Sequence, residues 1–309
     1  MTNELAAIIQ SMGQWLLVPF GYALDAASRM YWLFWCSALG IALLVILYSQ
    51  WRDKKLHLGR AMVQLFSPRH WWRRSTLVDL AYLFANSLLR LGIVIPLFGS
   101  HLLVTLWVTR GLQSELGNAP EFALSGMTVA ALYTLCFFLV EDFSRFGLHR
   151  TMHKVPFLWR LHQVHHSARR LTPLTLFRVH PFEMTLYYLR GLLVFGSVSG
   201  VFVYLFGGQL SGWDILGVDA LGFAFNFLGA NLRHSHIWLS FGRLERWFIS
   251  PAGHQLHHSR LSEHRNKNFG TCLALWDRLF GSHLPAEKQR PKIAFGLSRR
   301  PILRKTVQG

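Results

Sequence analysis

The chain has 309 residues, of which 51% are hydrophobic and only 15% charged, and its formal net charge is +17. Soluble domains carry about a quarter charged residues, so the composition points away from an ordinary soluble domain and towards the membrane. The positive charge does not read as a nucleic-acid module, because Lys and Arg sit between long apolar stretches instead of on a basic domain of their own.

The N-terminus lacks the basic start, apolar core and small-residue cleavage site of a signal peptide, its first charge being Glu4. Residues 1–29 read as an amphipathic interfacial helix. A span needs about 20 mainly apolar residues. Met30–Gln50 meets that test and stops at a basic anchor, Trp51-Arg52-Asp53-Lys54-Lys55. Thr76 to Arg110 is apolar but longer than one crossing requires, and Pro96 is placed to kink or divide it. Ala123–Val140, Met184–Phe206 and Trp213–Ala230 complete the set. The expected fold class is therefore an all-α integral membrane protein with about five transmembrane helices and a cytoplasmic helical cap rich in histidine.

Lys and Arg accumulate on cytoplasmic loops. Residues 51–75 hold seven, 144–180 seven and 241–309 thirteen, whereas 1–29 hold only Arg29, 110–121 only Arg110 and 207–212 none. This asymmetry predicts an outside N-terminus, a cytoplasmic C-terminus and every histidine cluster facing the cytoplasm. No Pro/Gly/Ser-rich linker divides the chain. Three regions are nevertheless distinguished: an N-terminal transmembrane region at 1–124, a catalytic region at 125–285 and a basic cytoplasmic tail at 286–309. The three cysteines, Cys36, Cys136 and Cys272, are odd in number and far apart, so no disulfide framework is expected. Two polar stripes, Asp79/Asn86/Arg90 and Asp219/Asn226/Arg233, have helical spacing and read as helix packing within the bundle.

Eight of the sixteen histidines fall into three short patterns. His149 and His153 are four apart, one turn along a single helical face. His162-Gln-Val-His165-His166 repeats that step in its outer pair, and His254-Gln-Leu-His257-His258 repeats the whole pattern elsewhere. Neutral imidazole is available at pH 7 and suits iron, zinc, copper or nickel. Eight such ligands exceed what one metal takes and distribute over two. An all-imidazole set brings no ligand charge, so nearby carboxylates become important. Asp142, seven residues before His149 and on the same face, is expected to serve in that way and is the candidate catalytic residue. His57, His70, His101 and His283 stand outside any pattern and read as ordinary structural histidines.

The order His-x-x-x-His, His-x-x-His-His, His-x-x-His-His resembles the fatty acid hydroxylase/sterol desaturase superfamily. Agreement extends to Asp142 before His149-Arg150, to Trp159-Arg160-Leu161-His162, to Arg178-Val-His180-Pro181-Phe-Glu183, to Asn268-Phe269-Gly270 and to Trp276-Asp277-Arg278-Leu279-Phe280-Gly281. The resemblance covers about residues 125–285. Two positions depart from it: Phe146 stands where many relatives have Tyr, and His236 where Asn is frequent, which leaves His234 as the expected ninth ligand. His180 is a further candidate, either as a ligand or as a hydrogen-bond partner of one. His236 and His264 lie outside the paired spacings and read as solvent-facing.

The resemblance implies two Fe ions, O2 as co-substrate, two reducing equivalents per turnover, and hydroxylation or desaturation of a membrane lipid such as a sterol or fatty acyl chain. No dinucleotide fingerprint or fused haem module is visible, so an external donor, ferredoxin-like or cytochrome-like with its reductase, is expected, and no nucleic acid. A metal transporter would place its histidines near the bilayer midplane, whereas these clusters lie beyond the span ends. A non-catalytic metal-binding membrane protein is the other alternative.

Overall fold

A computed structural model describes residues 13–207, 214–215 and 218–297, except for the side chains of residues 69, 214, 215 and 218. Within these residues the chain is helical, with one two-residue antiparallel pair, Asp214–Ile215 against Val218–Asp219, and one isolated bridge between Phe248 and Leu273. Residues 13–21 are helical; the expected interfacial helix over 1–29 otherwise lies partly outside the described residues.

Among the described residues, four segments are long and apolar enough to cross a membrane: Trp32–Arg52, Arg74–Leu116, Gly126–Lys154 and Pro181–Phe206. The second is not one regular helix. Arg74–Leu89 runs into a π-turn at Arg90–Val94 just ahead of Pro96, breaks at Gly99 (φ 71°) and restarts as His101–Leu116. A proline removes a backbone donor and crowds the preceding turn, and a widened turn relieves that crowding.

The fifth expected span, Trp213–Ala230, supplies no crossing helix among the described residues. It contributes only Ala220–Phe227, eight residues long. The physical reason lies in its punctuation. Asp219 caps the helix start by accepting from the Gly222 backbone N–H at 2.6 Å, and Gly229, at φ 95°, ends it.

The His101–Leu116 and Pro181–Phe206 segments pack closely because two glycines line the crossing. A Cβ on Gly200 would lie 2.6 Å from the Val108 Cβ, so only glycine admits this approach. At the other side of the bundle, Ala38, Ala42 and Ile46 pack with Ala61, Leu65, Leu232 and Ile237, tying the first span to the cap.

The polar stripes hold the cap to the spans. The Asp79 carboxylate is fully buried and accepts from Arg178 Nε at 2.6 Å and from the Thr175 and Thr172 hydroxyls at 3.0 and 3.3 Å. Asn86 donates to the Val179 carbonyl at 2.8 Å, and Asn226 accepts from Arg29 at 2.7 Å. Residues 286–297, expected as the start of a basic tail, lie across the cap: the Trp238 indole donates to the Glu287 carbonyl and the Arg260 N–H to the Ala294 carbonyl, both at 2.9 Å.

Candidate metal centre

Each histidine-bearing element begins or ends at a local signal. The long Gly126–Lys154 helix is capped by Ser125 and stops at Val155, because a residue before proline is disfavoured in helix. Pro156 then opens Pro156–His166 at its first turn, where a missing N–H costs nothing. Pro251 opens Pro251–His257 in the same way, with the Ser250 hydroxyl accepting from the Gly253 N–H at 2.9 Å.

These elements converge and sort nine imidazoles into two sets. His149, His153, His162, His166 and His257 form one, and His165, His234, His254 and His258 the other; within each, the ligand atoms lie within 4.8 Å of one another. The third box is thereby split, His257 joining the first set and its neighbours His254 and His258 the second. His165 and His166 are likewise divided. Adjacent residues on a helix point about 100° apart, so consecutive histidines can serve two sites.

The sets suit metal ions. In the second, Nε2 atoms of His234 lie 3.0 Å from those of His254 and His258 and 3.2 Å from that of His165. Two nitrogens at about 2.1 Å from one metal and at right angles to each other would be about 3.0 Å apart. In the first, the Nε2 atoms of His153, His166 and His257 are buried without a hydrogen-bond partner, and His149 and His162 Nε2 are 3.1 Å apart. Burial pushes the imidazoles of His162 and His165 down to about 3 and those of His166, His234, His254, His257 and His258 well below the ordinary histidine value; except at His162, neighbouring groups add to this. Neutral rings keep their lone pairs free for a cation.

Three rings of the first set are held from behind. Their Nδ1 atoms donate to the Phe269 carbonyl from His149 at 2.8 Å, to Glu183 Oε1 from His162 at 2.7 Å, and to the Lys267 carbonyl from His257 at 2.7 Å. Such partners fix ring orientation and raise basicity. His254 differs, since its Nδ1 faces a cation, Arg233 Nη2, at 2.8 Å; the same guanidinium donates to the carbonyls of Gly270 and Thr271. Phe269 packs its ring against His153 and His257, and Phe146 packs on Phe269 and Phe280, so an aromatic wall closes one side of the first set.

Two expected site residues stand apart. His180 caps Pro181–Phe206, its Nδ1 accepting from the Phe182 N–H at 3.2 Å, and belongs to neither set. Asp142, expected to face the histidines, instead accepts from the backbone N–H groups of Cys272 and Leu273 at 2.8 and 3.0 Å and from the Trp276 indole at 2.9 Å. It is a positioning residue that clamps the segment following Phe269. Its carboxylate takes those donors because free N–H groups in a buried loop need an acceptor. The carboxylate that does touch a histidine is Glu183, in the Arg178-to-Glu183 segment. Its signal in the sequence is position: it occupies the first turn after Pro181, where an acidic side chain is favoured.

Residues 134–282, which carry all nine grouped histidines, match the family model described as fatty acid hydroxylase. The chain is 31% identical over 144 residues to an ornithine lipid hydroxylase of Rhizobium tropici, covering 47% of this chain and 39% of that protein. It is 27% identical over 161 residues to an alkylglycerol monooxygenase of Xenopus tropicalis, covering 52% and 32%. A very-long-chain aldehyde decarbonylase of Oryza sativa is 28% identical over 178 residues, covering 56% and 62%. The chain thus spans only about a third to two fifths of the first two relatives. No solved structure matches it.

Proposed function

We propose, from the match of residues 134–282 to the fatty acid hydroxylase family model, that the chain is a membrane oxygenase inserting one oxygen atom of O2 into a C–H bond of a lipid. One observation carries this reading: two adjacent all-histidine sets, built from the end of the apolar Gly126–Lys154 helix and from short cap helices, with buried neutral rings and orphaned nitrogens. His149, His153, His162, His166 and His257 would hold one iron and His165, His234, His254 and His258 the other. Two irons bound there supply O2 activation and cleavage of an unactivated C–H bond. The balance is RH + O2 + 2 e⁻ + 2 H⁺ → ROH + H2O, with the electrons arriving from a separate ferredoxin-like or cytochrome-like donor.

The chain's own part is positional. Glu183 and the Phe269 and Lys267 carbonyls fix three rings. Phe269 and Phe146 exclude water from one flank. Asp142 and the Asp79–Arg178 pair fasten the two loops that carry these contacts. The relatives that act on ornithine lipid and alkylglycerol support a polar membrane lipid with a long aliphatic chain as substrate. The histidine sets gather at helix ends and do not run along a span, which argues against metal transport.

The test is expression in a lipid-matched host under ¹⁸O2, with an electron donor and untargeted lipid mass spectrometry. One labelled oxygen in a lipid, lost in His165→Ala, supports the reading. Unlabelled lipids with normal iron in the protein, or loss of two hydrogens only, would contradict hydroxylation.

A further inference from the structure

A cleft of about 290 Å3 opens at the C-terminal end of the Gly126–Lys154 helix. Arg150, Lys154, Arg265 and Lys267 line it, over a floor that includes Phe269 and Phe280, and no carboxylate lines it. Among the described residues none of the four cations forms a salt bridge. Arg150 lies over the Phe280 ring at 5.3 Å.

The wall of this cleft is also the backing of the first histidine set. Asn266 and Asn268 are both left-handed, at φ 59° and 55°, a conformation that asparagine tolerates better than other side chains with a Cβ. Between and beyond them the chain turns the Lys267 carbonyl to His257 and the Phe269 carbonyl to His149, at 2.7 and 2.8 Å. A body seated in the cleft is therefore separated from two of the grouped histidines by one peptide segment and one hydrogen bond.

We propose that this basic cleft is the docking surface for an acidic electron-donor protein, and that its electrons would reach a metal held by the first histidine set through residues 267–269. The inference rests on the oxidation reading above, which requires two electrons from outside the chain. Four uncompensated cations on one concave face suit an acidic protein surface and steer its encounter. An aliphatic substrate chain has no use for them.

The experiment uses the full-length, iron-loaded protein in phosphatidylcholine nanodiscs, with an acidic [2Fe–2S] ferredoxin and a soluble cytochrome b5 domain as probes. Binding of one probe should weaken strongly from about 0.1 M to about 1 M salt, as the Debye length falls from about 10 to about 3 Å. Combined Arg150→Glu, Lys154→Glu and Arg265→Glu should raise that Kd at least about tenfold. Arg150→Gln with Lys154→Gln should give a smaller rise, and the melting temperature should hold. Dithionite-driven single-turnover product should be unchanged in both variants.

Binding of neither acidic protein to the unmodified chain, or equal affinity in the charge-reversed variant, overturns the proposal. So does a shift confined to phosphatidylglycerol nanodiscs, which would assign the cleft to a lipid surface. Loss of the dithionite-driven product would assign it to the reaction itself. Absence of that product in the unmodified protein would count against the oxidation reading, while the binding measurements still judge the cleft.

Discussion

Replacing Glu183 with Gln removes one charge from behind the first histidine set and changes little else. The carboxylate is 2% exposed, and its Oε1 accepts from His162 Nδ1 at 2.7 Å, while Oε2 has no partner. The amide oxygen of Gln can still accept, so the ring keeps its tautomer, and what is lost is the charged share of the bond. Partners of this kind are worth about 10–100-fold in metal affinity or activity, or about 1.4–2.7 kcal/mol. Glu183→Ala goes further, leaving a buried N–H without an acceptor at a cost of about 1–3 kcal/mol. We expect iron affinity, measured by chelator competition, to fall in the order wild type, Glu183→Gln, Glu183→Ala. Turnover should follow, with the melting point of the Gln variant close to that of wild type. Iron affinity and turnover within twofold of wild type in both variants would refute the role assigned to this carboxylate.

Three further outcomes are expected. Metal analysis of active protein should find two irons per chain, with His257→Ala depleting one set and His254→Ala the other, while His180→Ala leaves both; one metal per chain in unmodified protein would sink the two-site reading. The metal-free protein should lose stability as pH falls from 6.5 towards 3, because His162 and His165 titrate near 3 when folded and near 6.5 when unfolded, so the unfolded chain binds the extra protons. At pH 5 this amounts to about 2 kcal/mol for each ring, and a melting temperature flat between pH 7 and 5 would contradict it. Arg169→Cys should be labelled only from the cytoplasmic side, as the Lys/Arg asymmetry requires; labelling from outside intact cells would reverse the orientation.

Much of the architecture can be read from local pattern, and what cannot is long-range. The helical spacing of His149/His153 and of the two later boxes places rings on faces, and the structure brings those rings together with His234. Spacing says nothing about sorting, however, and the division of His257 from His258 depends on how Pro251–His257 sits against helices about a hundred residues earlier. The backbone acceptors Phe269 and Lys267 carry no signature at all, since any residue has a carbonyl. Asp142 shows the converse: its register with His149 was visible, but its donors come from residues 272–276, which only folding brings near. Hydropathy likewise marked Trp213–Ala230 as apolar enough to span, whereas the Asp219 cap and Gly229 bound its described helix to Ala220–Phe227.

The two histidine sets also differ in when they can exist. Translation delivers His149 to His166 early, so four of five members of the first set emerge together, whereas the second set then has only His165. The 92 residues from His166 to His258 take roughly 5–20 s to synthesise. During that interval the nascent chain carries a nearly complete four-histidine site and a lone histidine beside it. On the two-metal reading, synthesis order lets the first set engage a metal through four histidines before the C-terminal cap brings His257 to it and completes the second set.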